Sequence, residues 1–282
     1  MNNIETARQY LSTQKEFEKV FAERSYTMDW EKPYTEPAGQ KGRKINYEQI
    51  TVGTAGTVGK FNRETGYEAA DINSTWVEKE LTQDVGNALK MDAMDGDEAQ
   101  GLEIVRVAKR YVRLNLTPAV DKYRFGNVVG ASGVNKKVLV LTAENIIAEI
   151  DSAISTLYEN GVQEDLVLHL ATPVYNLLAE NNNAKFRHEE GWGGSIDNKV
   201  LVYNGLLKAK IVPVPANLLG KSVNFILSAP TAVAAIVKHT TNTYFDRVAG
   251  YGDRKKEIDL GFYHDCWIIP SFEKAVFVHK AA

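Results

Sequence analysis

Apolar residues recur at helical spacing at the start of the chain. Ile4, Ala7 and Leu11 form one row and Phe17, Val20 and Phe21 continue it, which predicts an amphipathic helix over 4–24. Pro33, Pro37, Gly39 and Gly42 interrupt that rhythm, so 26–44 reads as an extended arm or linker carrying a small solvated basic cluster, Lys41, Arg43 and Lys44. From 45 to 83 the period changes to two. INYEQITV and TVGKFN flank Gly53 and Gly56, and DINSTWVEKEL places Trp76, Glu78 and Glu80 on one face and Val77, Lys79 and Leu81 on the other. This excursion has too little apolar content for a core, and a two-stranded ribbon is marginal alone in water, so it needs a partner to lie on.

The helical period returns in GLEIVRVAKRYVRLNL, residues 101–116. Leu102, Val105, Ala108, Val112 and Leu116 form one apolar row, and Ile104, Val107, Tyr111 and Leu114 form a second. Arg106, Lys109, Arg110 and Arg113 make a basic stripe between them, and Pro118 is the expected stop. KKVLVLTAENIIAEIDSAISTLYENG then reads as strand and helix, with Thr142 as N-cap, Ile147, Ile150, Ile154 and Leu157 as the stripe and Gly161 as terminator. LVLHLA (166–171) reads as a buried strand containing a satisfied core His169, and TPVYNLLAE opens a helix with Pro173 at its first position. A polar, glycine-rich loop follows over 181–198. Strands are then expected around the Asn204-Gly205 turn, in VNFILSAP, and through the C-terminal runs IDLGFYHDCWIIP and KAVFVHK. The whole is an α+β chain in which the helix at 101–116 packs on the C-terminal strands and the middle region is an insertion.

Composition narrows the function. The 282 residues carry a formal net charge of −3, with 44% hydrophobic and 24% charged residues. That supports a folded core but not the concentrated basic face of a dedicated duplex-DNA binder. A single cysteine, Cys266, excludes an internal disulfide framework and fits a reducing compartment. The N-terminus lacks a signal-peptide layout, and the longest apolar run, APTAVAAIV, is far short of the roughly 20 residues that cross a bilayer.

Chemistry-bearing motifs fail in turn. The acids of ELTQDVGNALKMDAMDGDEAQG fall at Asp92, Asp95, Asp97 and Glu98, off the alternate spacing of a calcium loop, whereas Asp95 and Glu98 suit a capping box ahead of a helix. His264 and Cys266 share a strand face but have no second pair to complete zinc, and a buried structural thiol beside Trp267 fits better than a nucleophile. GTAGTVGK lacks the Ser/Thr and helix of a phosphate loop, and no G-x-S-x-G elbow occurs. No cofactor and no metal is expected, and an enzyme using His264 or the acids of 84–98 stands as the rival reading.

An ordered set of segments resembles the major capsid proteins of tailed bacteriophages infecting Gram-positive bacteria, with the Hong Kong 97-like fold. The segments are WVEKELTQDVGNALKMDAMDGDEA (Trp76; Thr82, Asp84 and Gly86 as a turn; Asp92, Met94, Asp95; Glu98) and YVRLNLTPAVDKYRF (Pro118, Asp121, Tyr123, Arg124). RETGY, with Arg63 and Tyr67, resembles the turn of the family's extended loop, and FYHDCWIIPSFEKAVFVH its closing strands. The likeness spans roughly 45–282. It departs from the family pattern at Val85, where arginine is usual, and at Ala119, where an acid is frequent.

The resemblance implies an N-terminal arm (1–44), an E-loop (45–83), a P-domain (84–136 and 236–282, spine helix about 97–118) and an A-domain (137–235). It implies that Arg63, Tyr67, Trp76, Asp84, Asp92, Asp95 and Arg124 contact neighbouring subunits, and that the acids of 84–98 hinge the ribbon into the spine helix. The expected partners are copies of the chain in hexamers and pentamers, with scaffolding, portal and decoration proteins beyond them. The shell would enclose double-stranded DNA without sequence-specific binding, with no membrane involved. Assembly would take place in the host cytoplasm, and the final location would be the virion. The alternative is an encapsulin-type nanocompartment shell.

Overall fold

Among the described residues, twelve strands and two long helices form the framework. A computed structural model describes residues 17–35, 43–52, 63, 72–92, 102–180, 186–189, 200–245, 255–270 and 272–282. The first described helix, α1 (17–24), buries Phe17, Val20 and Phe21, as the stripe predicts.

Next in chain order, β1 (Lys44–Val52) and β2 (Ile72–Glu80) pair antiparallel in unbroken register, from Lys44 opposite Glu80 to Val52 opposite Ile72. The ribbon is therefore real, but its root is not bare. Ile45, Tyr47 and Leu81 are buried with Ile236 and pack with Tyr34, Val77, Tyr263 and Trp267. β3 (Gln83–Asp92) then pairs with β11 (Lys255–Ile268), which pairs with β10 (Val233–Phe245) in a three-stranded sheet. The expected turn at Thr82–Gly86 and acidic hinge at 84–92 are thus corrected. Backbone pairing with β11 claims these residues, and Gly86 lies opposite Gly261. A Cβ on Gly86 would overlap the Leu260 carbonyl oxygen and sit 2.9 Å from Gly261 Cα, so glycine is set by the close approach of two backbones. Residues 93–101, including Asp95 and the supposed capping box, lie outside the described residues.

The helix that was expected to stop at Pro118 continues through it. α2 (Leu102–Tyr111) runs into a π turn (Val112–Leu116) and on into α3 (Thr117–Gly130). The wider turn removes the physical objection to proline. Thr117 donates its backbone N–H and its hydroxyl to the Val112 carbonyl, the hydroxyl at 3.0 Å, and Pro118 falls at the start of the second segment, where no N–H is needed. One continuous rod therefore serves two cores. Ala108, Val112, Leu116 and Val120 pack with α1 and with Val237, Ile258, Leu260 and Phe262 of the three-stranded sheet. The expected packing on the C-terminal strands is found. Phe125 and Val128 enter the second core.

That second core lies on a seven-stranded sheet ordered β4-β12-β9-β5-β8-β7-β6. Its strands are β4 (Asn135–Val138), β5 (Leu166–Ala171), β6 (Phe186–Glu189), β7 (Val200–Asn204), β8 (Lys208–Val214), β9 (Val223–Ser228) and β12 (Val276–Lys280). α4 (Ile146–Glu159) buries Ile146, Ile150, Ala153, Ile154 and Leu157 against it, and α5 (Thr172–Glu180) contributes Val174 and Leu178. Three local expectations shift. α4 is preceded by Asn145, whose side chain folds the approach by accepting from Thr142 N–H and donating to the Val140 carbonyl, so Thr142 does not cap it. The 181–198 loop contains strand β6, paired to β7 at the sheet edge. The C-terminal strand β12 leaves the three-stranded sheet and inserts between β4 and β9. Gly161 does terminate α4, with φ of 91°.

Residues 26–35 of the segment read as a linker form a strap packed against the core. Its 3₁₀ turn (Met28–Trp30) drives Trp30 to full burial. The Trp30 ring packs edge-on to Phe125 at 5.4 Å and close to His169 at 4.6 Å, and its indole N–H donates to Ser228 at 2.9 Å. His169 is satisfied at Nε2 by the Tyr26 carbonyl at 2.9 Å. Burial pushes its pKa down to about 4.

Two stability predictions follow from these sites. Gly86→Ala forces the β3–β11 backbones apart and lowers stability by about 1–3 kcal/mol, read as an earlier urea midpoint with unchanged slope. For His169, the folded pKa lies below the unfolded value near 6.5, so the unfolded state binds the extra proton, and its contribution is lost as pH falls from 6.5 toward 4. That amounts to roughly 3 kcal/mol at the acid end. His169→Gln keeps a donor for the Tyr26 carbonyl and loses this dependence. The difference between wild-type and variant unfolding free energies therefore narrows as pH falls through that window, while a constant difference contradicts the assignment.

Candidate assembly surface

The ribbon root presents the alternation in β2 as geometry. Val77, Lys79 and Leu81 turn inward or lie half-buried, while Trp76, Glu78 and Glu80 point to solvent, Trp76 being 57% exposed. An indole left this open on a rigid strand is the kind of anchor that interfaces use. Beneath it, the root is held firmly. Lys79 Nζ sits 3.8 Å from the Trp267 ring centroid, and Tyr47 meets the same ring edge-on at 5.1 Å. Burial lowers the Lys79 pKa, partly offset by Asp265.

Asp265 is the polar pin of this root. One carboxylate oxygen accepts from Tyr123 hydroxyl at 3.1 Å and from Cys266 N–H, and the other from Thr82 N–H and Thr82 hydroxyl. It therefore ties the end of the ribbon to α3 and β11. Burial shifts the neighbouring titratable groups as well. Cys266 is buried and its thiol is pushed up to about 12 by burial. His264 is buried and pushed down to about 4, by burial first and then by Arg124. The structure supports a structural Cys266. Among the described residues no group of three or more His, Cys, Asp or Glu side chains is placed to hold a metal.

The residues expected at intersubunit contacts divide sharply. Trp76 is exposed as described. Asp84 is exposed but already paired to Arg43 at 3.1 Å, just as Lys44 pairs with Glu78 at 2.6 Å, so Arg43 and Lys44 of the supposed solvated cluster brace the ribbon, while Lys41 lies outside the described residues. Arg63 is exposed. Asp92 closes β3, its backbone opposite Lys255. Tyr67 and Asp95 lie outside the described residues. Arg124 is a correction. It is fully buried, donating to Thr27 hydroxyl at 2.8 Å and to the Glu31 carboxylate, with its guanidinium over the Phe21 ring at 5.6 Å. A helix stripe of 117, 120, 121, 124, 125 and 128 carries it inward; motif order alone had left this helical period unread past Pro118.

Sequence reasoning also missed a second surface. The two apolar rows of α2 do not share a fate. Ala108, Val112 and Leu116 are buried, whereas Val107 is 48% and Leu114 57% exposed. They flank Arg106, Arg110 and Arg113, which are exposed as well. The signal was present, since two apolar rows separated by arginines cannot both face one core.

No protein-family model matches the sequence, and no curated protein matches it. Solved structures do match by shape. A chain of Mycobacterium phage Che8 aligns with TM-score 0.51 and 18% identity, covering 85% of each chain. A capsid structure of the cyanophage P-SCSP1u aligns with TM-score 0.53 and 12% identity, over 86% of this chain and 84% of that one. A virus-like particle from Pyrococcus furiosus aligns with TM-score 0.56 and 11% identity, over 96% and 99%. At such low identity shape carries the relation, and it runs nearly end to end: the chain has the Hong Kong 97-like capsid fold.

Proposed function

We propose that the chain is a major capsid protein whose copies form the hexamers and pentamers of an icosahedral head shell enclosing phage double-stranded DNA. The observation that carries this reading is the ribbon. Its root is pinned to its own subunit on one face, while the other face holds out Trp76, Glu78 and Glu80 with nothing of the same chain described over it. A strand pair built this way suits a neighbour's surface.

On this reading residues 1–44 form the arm, with 25–35 as its strap, and 45–83 the E-loop. The spine helix is longer than the sequence suggested, from Leu102 to Gly130. The P-domain is the three-stranded sheet with that helix. The A-domain is the seven-stranded sheet, into which β12 returns. Arg63, Trp76 and Asp84 remain proposed contacts, together with Tyr67, Asp92 and Asp95. The nanocompartment reading draws on the likeness to the Pyrococcus furiosus particle and shares the assembly step, differing in what is enclosed. The likenesses to the Mycobacterium phage Che8 chain and the cyanophage capsid favour the first reading.

Negative-stain electron microscopy with light scattering on the full chain is expected to show closed shells, tubes or capsomer rings. Trp76→Ala is expected to change unfolding free energy by less than about 0.5 kcal/mol, as for an exposed side chain, while moving the population from particles toward small species. A variant that assembles like the parent removes Trp76 from the interface, and a parent that stays monomeric at every concentration, alone and in lysates of infected cells, removes the shell reading.

A further inference from the structure

The exposed face of α2 is at odds with the rest of the chain. In a molecule of net charge −3, Arg106, Arg110 and Arg113 stand in one row at i, i+4 and i+7, and with Lys109 and Leu114 they line a shallow open depression. None of the three arginines forms an ion pair or hydrogen bond among the described residues, although Arg43, Lys44, Lys90, Lys137 and Lys210 all find carboxylates. The row lies on a rod whose opposite side is locked into the core by Ala108, Val112 and Leu116, so it is presented rigidly.

We propose that this face binds the phosphate backbone of the enclosed duplex, so that α2 marks the side of the subunit turned toward the genome. This rests on the shell reading for the source of the DNA. The occupant follows from charge and spacing. Seven residues of helix rise about 10 Å, along which a duplex offers about six phosphate charges, so three guanidiniums can each reach one from a single side. Arginine's planar fork suits phosphate oxygens and carries no base-edge readout here, so the contact is sequence-blind. With only three such contacts the attraction is weak and salt-sensitive, which lets tightly packed DNA slide along the wall. Val107 and Leu114 at the flank contribute no charge and are the feature an acidic protein partner would use instead.

The test uses the full chain as unassembled protein, with fluorescence anisotropy of a labelled 20-base-pair duplex titrated at 50 to 200 mM NaCl. Three phosphate contacts give a slope of log affinity against log salt near −2.7, an affinity loss of about 40-fold across that range. In R106Q/R110Q/R113Q the slope is expected to collapse toward zero with weaker binding at 50 mM. R106K/R110K/R113K, which keeps the charges, is expected to retain the slope, and single R110Q to reduce it by about one. Identical slopes in the parent and the glutamine variant overturn the proposal. So does parent protein that binds polyglutamate but not duplex, which assigns the face to an acidic protein. Particle formation, followed separately by microscopy, is expected to be unchanged in the variants. Failure of the parent to form particles would count against the shell reading without altering the duplex result.

Discussion

A buried cluster of charged and polar groups holds this fold in one piece. Asp121 and Arg124, one turn apart on α3, are both fully buried, and the strap at 25–31 supplies their partners. Asp121 accepts from Ser25 hydroxyl and Thr27 hydroxyl at 2.7 Å each and from Tyr26 N–H at 3.0 Å. Arg124 closes the set through Thr27 and Glu31. Burial raises the pKa of both carboxyl groups, more than their donors and Arg124 pull it back down. Such a cluster is stabilising only when complete, because removing one member strands a charge out of water at about 3–5 kcal/mol. Its value here is positional, since it fixes the strap on α3.

From that point the strap reaches every layer. Asp29 is paired with Lys210 of β8, and the Tyr26 carbonyl with His169 of β5. Trp30 is bonded to Ser228 of β9. Lys32 N–H donates to the Ala235 carbonyl of β10, and Thr35 exchanges two backbone bonds with Asn46 of the ribbon. A few residues thus fix the rod, both sheets and the ribbon root relative to one another. The consequence for function is rigidity where surfaces must be presented: the Trp76 face above the root and the arginine face along α2 both project from elements with firmly packed backs. An assembling subunit benefits from this, because interface groups held in place lose less freedom on binding.

How much of this was legible depended on the range of the interactions. Periodicity in β2 gave the faces of Trp76 and Val77 correctly, because alternation is a local consequence of strand geometry. The Ile150, Ile154 and Leu157 stripe and the buried LVLHLA run were legible for the same reason, although Ile146 rather than Ile147 is the stripe's buried first member. The course of the chain at Pro118 was not, because a π turn that accommodates proline depends on the Thr117–Val112 bonds and on packing from both sides. The strap was hidden by Pro33 and by the prolines and glycines that follow it in sequence, which report local irregularity and say nothing of Trp30 finding a pocket nearly 200 residues away in sequence at Ser228. Arg124 was placed at a subunit contact by the family resemblance, and only its helical phase with Val120, Phe125 and Val128 could have turned it inward. Gly86 looked like a turn residue, but its reason is the opposing Gly261, a pairing set by sheet register. The family resemblance supplied the architecture that local pattern could not.

The central claim is that the exposed ribbon face is completed by a neighbouring copy. A cryo-electron microscopy reconstruction of particles assembled from the full chain tests it most directly. The account predicts density from an adjacent subunit covering Trp76, Glu78 and Glu80, with the root beneath still packed on Tyr263 and Trp267 of its own chain. A map in which that face lies in solvent in every subunit, or in which the ribbon folds back over its own sheet, would contradict it.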